Sequence, residues 1–120
     1  MVGWFEIPVS DMNRAITFYE TVFNVKIRNV EFDGIKMGWF PDNDGAYGAS
    51  GALIKQNSYV PSKEGTLIYF ISQDVQIELD RVEPAGGKIG LEKTEISENN
   101  GFMGMFIDTE GNKIALHSDA

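Results

Sequence analysis

The chain of 120 residues contains no cysteine. That removes disulfides, thiolate metal sites and every cysteine nucleophile, and it fits a reducing compartment. There is one histidine, so a site needing two or three imidazoles from one chain cannot form. Positive charge is also short. Lys and Arg number 10 against 18 Asp and Glu, a net charge of -8. A phosphate-backbone binder needs clustered cations, so no nucleic acid partner is expected. Anionic membrane surfaces are disfavoured for the same reason. No segment approaches the ~20 apolar residues that span a bilayer. The start, Met1-Val2-Gly3-Trp4-Phe5-Glu6, has neither a basic region nor an apolar leader core. The expectation is a soluble, cytoplasmic protein without a membrane partner.

What the chain does have is a globular composition, 42% apolar with eight Phe, four Tyr and two Trp, enough for one packed domain over residues 1–120. It also has an internal repeat. Residues 4–27 and 67–89 each open on a strand-like run and reach an aspartate, Asp11 and Asp74, ahead of a helical segment. Further on, Met37-Gly38-Trp39-Phe40-Pro41-Asp42 matches Met103-Gly104-Met105-Phe106-Ile107-Asp108. The chain therefore divides into module 1–57, a polar link over 58–64, and module 65–118.

Each module reads strand, helix, then three strands. Phe5, Ile7 and Val9 alternate with Trp4, Glu6 and Pro8, the period of a strand. Asp11 is a helix N-cap. Met12, Ala15, Ile16, Tyr19, Val22 and Phe23 follow at helical spacing, and Asn24 suits a left-handed ending. Asp33-Gly34 predicts a hairpin between Lys26–Phe32 and Ile35–Phe40. Asp42-Asn43-Asp44-Gly45 predicts a turn, since it lacks the loop length and closing Glu of a calcium site. A fourth strand is expected near Ala52–Lys55. In the second module Leu67–Ser72 predicts a strand, and Asp74 caps a helix bearing Val75, Leu79 and Val82. Pro84 and Gly86-Gly87 end that helix. Strands follow at Ile89–Ile96, Phe102–Ile107 and Lys113–His117, joined by turns at Glu98–Gly101 and Asp108–Asn112. No phosphate loop and no nucleophile elbow occurs.

The chain resembles the vicinal oxygen chelate superfamily, the glyoxalase, bleomycin-resistance and dioxygenase group. The resemblance rests on Ile7-Pro8-Val9-Ser10-Asp11, Arg14-Ala15-Ile16, Phe18-Tyr19-Glu20 and Val22-Phe23. It continues through Gly51-Ala52-Leu53, Pro84-Ala85-Gly86-Gly87 and Gly104 to Asn112. It implies an α+β fold of two tandem βαβββ modules forming an open, curved sheet around a ligand cleft. It also implies pairing of two chains into a homodimer, for which open strand edges are one physical reason.

Enzymes of this superfamily hold a divalent metal with His, Glu or Gln from the first and fourth strands of each module. The corresponding positions here are Trp4, Leu67 and Ala115. The fourth lies in the strand closing module one, and residues 45–62 hold no Asp, Glu or His. The resemblance therefore implies a cleft with no metal and no cofactor.

Strand parity names the cleft-facing residues: Trp4, Glu6, Leu67, Tyr69, Ile71, Lys113, Ala115 and His117. It leaves Trp39 and Met105 unassigned. Glu6 and His117 are the candidate acid–base groups, Glu6 as a buried base with a raised pKa and His117 titrating near neutrality. Each also has an ordinary reading, as an ion-paired carboxylate and a structural histidine. Trp4 can stack on a planar ligand or fill the space of a metal, and Tyr69 can donate to a ligand or pack. Four functions follow, in order of preference. The first is a metal-free binder that sequesters a small cationic or aromatic molecule. The second is a non-catalytic dimer with a vestigial cleft. The third is a metal-independent lyase or isomerase, and the fourth a metal-dependent glyoxalase-like enzyme with shifted ligands.

Overall fold

A computed structural model describes residues 1–42 and 48–120. The turn expected at Asp42–Gly45 lies, after Asp42, outside the described residues. The elements run β1 (Phe5–Pro8), α1 (Met12–Phe23), β2 (Arg28–Phe32), β3 (Ile35–Trp39), β4 (Gly51–Lys55), β5 (Tyr69–Ile71), α2 (Val75–Val82), β6 (Lys88–Ser97), β7 (Gly101–Ile107) and β8 (Lys113–Ser118). They form two four-stranded sheets, ordered β1-β4-β3-β2 and β5-β8-β7-β6. Each sheet repeats the other's plan. The first strand pairs in parallel with the last, and the remaining pairs are antiparallel. This is the two-module α+β architecture that the repeat and the resemblance imply.

Local chemistry accounts for most boundaries. The Asp11 side chain accepts the Arg14 amide at 3.1 Å, and Asn24 closes α1 in the left-handed region (φ 53°, ψ 52°). Asp74 accepts the Gln76 amide at 3.0 Å at the start of α2. Asp33 and Gly34 both have positive φ, as a two-residue hairpin of this twist requires. Two strands are shorter than their sequence signals. β2 starts at Arg28 rather than Lys26, because the Ile27 amide donates to Glu20 Oε2 at 2.8 Å instead of entering the ladder. β5 spans three residues rather than the six of Leu67–Ser72.

One core serves both modules. Ile7, Val9, Tyr19 and Val22 from the first join Leu79, Phe106 and Leu116 from the second in a single buried cluster. The helical stripe read from the sequence omits Phe18, yet Phe18 is fully buried. α1 packs on α2 as well as on its own sheet, and Phe18 meets Phe106 of β7 at 5.7 Å between ring centroids. A helix gripped from two sides buries a wider face than a surface helix.

Hydrogen bonds from the β7–β8 turn reinforce the junction. Tyr19 Oη donates to Asp108 Oδ2 at 2.6 Å, and burial followed by the Asp108 charge pushes the Tyr19 phenol well above its ordinary pKa. Glu110 accepts the amides of Ser10 (2.9 Å) and Asp11 (2.8 Å) and the Arg14 guanidinium (2.8 Å). Asn112 donates to the carbonyl of Pro8 at 2.8 Å.

Candidate functional site

The helix-packed face of each sheet settles the two side-chain directions left open by the sequence. A Cβ added to Gly38 would sit 3.2 Å from Ile16 of α1, and one added to Gly104 would sit 2.7 Å from Leu79 of α2. These glycines face the helices, so their neighbours Trp39 and Met105 face the opposite, outer side. On that side the register aligns Glu6, Ala52, Trp39 and Arg28 in one row across the first sheet. The equivalent row of the second sheet is Tyr69, Ala115, Met105 and Leu91. The Trp4 indole packs edge-on against Trp39 at 5.5 Å, and the Arg28 guanidinium lies 4.9 Å from the Trp39 centroid.

β1 and β5 are both edge strands, and a cavity of about 910 Å³ opens along them. Its floor is aromatic. Phe70 touches Phe5 (5.5 Å), Phe23 (4.6 Å) and Phe40 (5.6 Å), so residues of both modules close it from below. Its rim is apolar and open: Trp4 is 43% exposed, Tyr69 46% and Ile71 62%. Among the described residues, its lining includes the acidic Glu6, Asp42 and Glu64 and the basic Lys113.

Of the residues read from the sequence, Trp4, Glu6, Leu67, Tyr69, Ile71 and Lys113 line this cavity. Ala115 sits one strand in, paired with Tyr69 and fully buried. His117 does not line it: its Nε2 lies 2.9 Å from the Asn100 carbonyl, at the β6–β7 turn. Glu6 is exposed rather than buried, because it projects from the outer face of an edge strand. Sequence reasoning missed the floor, Phe23 and Phe70, and the acidic wall residues Asp42 and Glu64. The aromatic content signalled the floor, but only the contact between modules shows which rings meet.

The model of the Glyoxalase/Bleomycin resistance protein/Dioxygenase superfamily matches residues 1–116, and the chain belongs to that family. Solved structures agree on the fold. A variant of glyoxalase I from Zea mays superposes with a TM-score of 0.76 at 21% identity, covering 98% of this chain and 46% of that one. The chain thus spans about half the length of the maize enzyme. The fosfomycin resistance protein FosX from Listeria monocytogenes gives 0.72 at 17% identity, covering 100% of this chain and 91% of that one. A glyoxalase/bleomycin resistance protein from Albidiferax ferrireducens gives 0.73 at 14% identity, covering 98% and 97%. No curated protein matches the chain.

The family implies a divalent metal, and the residues present do not fit one. The shared register pairs Glu6 with Ala52 as it pairs Tyr69 with Ala115, which places the fourth expected ligand position at Ala52. Trp4, Ala52, Leu67 and Ala115 offer an indole and three aliphatic groups, none of them a metal donor. Among the described residues no three His, Cys, Asp or Glu side chains converge to hold a metal ion. Among those residues, too, no helix is long and apolar enough to cross a membrane.

Proposed function

We propose that this protein binds a small cationic or aromatic molecule in the cavity between β1 and β5, without a chelated metal. The observation that carries the reading is the cavity itself: an aromatic floor, a rim of Trp4 and Tyr69, and a described lining that includes Glu6, Asp42 and Glu64 beside Lys113. Apolar walls with a few placed charges suit a drug-sized ligand. An aromatic rim beside carboxylates suits a cation over an anion. The exposed rim also supports pairing of two chains over the cleft, as a homodimer. Titration with aromatic amines and cationic glycopeptides of the bleomycin type is expected to quench tryptophan fluorescence to saturation. Trp4→Phe should remove that response and Trp39→Phe should retain it. An unchanged emission across the panel would sink the proposal.

One observation supports a metal-independent lyase or isomerase as a second reading. Of the two candidate acid–base groups, Glu6 lines the cavity. Under that reading Glu6→Gln abolishes turnover of a carbonyl compound while leaving ligand binding intact, and full activity in the variant would end it.

A further inference from the structure

The hairpin between β6 and β7 carries Asn100-Gly101, the one place in the chain where glycine follows asparagine. Asn100 is exposed at the turn, and Gly101 holds a φ of 76°. A Cβ at residue 101 would collide with the Ser118 carbonyl, so the fold itself requires glycine there. An asparagine before glycine is the pairing least shielded against attack of the backbone on its own side chain, since no side chain covers the following nitrogen. The one histidine of the protein bears on this same peptide unit. Its acceptor, 2.9 Å from Nε2, is the Asn100 carbonyl. A carbonyl can only accept, so Nε2 carries the proton and donates.

We infer that Asn100 is a self-modification site, a slow deamidation centre promoted by His117. The peptide joining residues 100 and 101 shares its electrons between the Asn100 oxygen and the Gly101 nitrogen. A donor on that oxygen stabilises the charge that develops when the nitrogen loses its proton, as a fixed donor does in any oxyanion site. The Gly101 nitrogen gives its proton to solvent and bonds to Cγ of Asn100. The Cγ–Nδ2 bond breaks, and ammonia leaves with a proton from solvent. Water then opens the cyclic imide at either carbonyl, giving aspartate or isoaspartate. Water is the only co-reactant, and no electrons are transferred.

The position gives the change a structural consequence. Gly101 lies hard against Ser118, and Ser118 Oγ accepts the Val75 amide at 3.1 Å at the start of α2. Isoaspartate lengthens the backbone at that tight turn by one methylene. It therefore disturbs the end of β8 and, through Ser118, the capping of α2.

The test is incubation of the folded protein at neutral pH and body temperature, with peptide mapping for the loss of NH and gain of O at each asparagine. Isoaspartate is counted with a protein isoaspartyl methyltransferase. Asn100 should convert first. His117→Ala should slow it several-fold, and His117→Gln, which restores an Nε2–H donor, should recover most of the rate. In urea, where the hydrogen bond is gone, the three proteins should convert alike. Two results overturn the inference. One is conversion in folded His117→Ala as fast as or faster than in the parent protein. The other is a parent protein whose Asn100 stays intact when folded yet converts in urea.

Discussion

Glu110 concentrates more bonding on one carboxylate than any other residue at the module junction. Burial alone would raise its pKa, but the Arg14 guanidinium and the amides of Asp11 and Ser10, with the Thr109 hydroxyl, outweigh it and hold the value down at about 2. A folded pKa below the unfolded one stabilises the native state above the unfolded value. That contribution disappears as pH falls toward 2. Glu110→Gln keeps an acceptor but loses the charge, and should cost about 1 kcal/mol at neutral pH. The difference from the parent protein should vanish in acid; a gap in denaturation midpoint that persisted below the folded pKa would refute the assignment. Tyr19→Phe tests the neighbouring bond. Asp108 is 4% exposed, and losing a donor to a buried carboxylate should cost about 1–3 kcal/mol. The urea midpoint should fall with an unchanged slope.

At the scale of elements, β1 is held to β4 by an approach that leaves no room for a side chain. A Cβ on Gly51 would run into the Phe5 carbonyl and ring. Gly51→Ala should therefore force β1 away from β4 and destabilise the protein by about 1–3 kcal/mol. It should also weaken any ligand of the cavity, because Phe5 and Glu6 move with the strand. Retention of both melting temperature and binding would show that the strand contact is softer than described.

These elements show what a sequence makes legible. Caps and turns rest on local chemistry, so Asp11, Asn24, Asp74 and Asp33-Gly34 could be read directly. Parity named Trp4, Glu6, Tyr69 and Lys113, but the cavity runs along the edges of β1 and β5 and is lined by residues of both parities, Phe5, Ile7, Ile68 and Phe70 among them. Parity did not reveal that His117, level with Ile71 but one strand in from the edge, meets the Asn100 carbonyl instead of lining the cavity. Nor could it reveal that Phe18 is buried by the second module, or that Phe23 and Phe70 meet beneath the site. Those facts depend on how the modules dock, and docking is written in Tyr19–Asp108, Glu110–Arg14 and Asn112–Pro8 pairs separated by about a hundred residues. The segment around Asp108–Asn112 reads locally as a turn, and nothing in its spacing shows that it also grips the other module.

For the molecule as a whole, the two modules share one core through their helix-packed faces and leave the edges of β1 and β5 to frame a cavity. The family's usual chelate positions carry Trp4, Ala52, Leu67 and Ala115, while the cavity remains large, aromatic and acidic. Binding there should need no divalent ion. The most direct test is fluorescence titration of metal-stripped protein, held in excess chelator, with the aromatic amine and glycopeptide panel. The account predicts saturable quenching through Trp4 that is unchanged when nickel, zinc, iron or manganese replaces the chelator. Quenching that is absent in chelator and restored by one of those metals would contradict it.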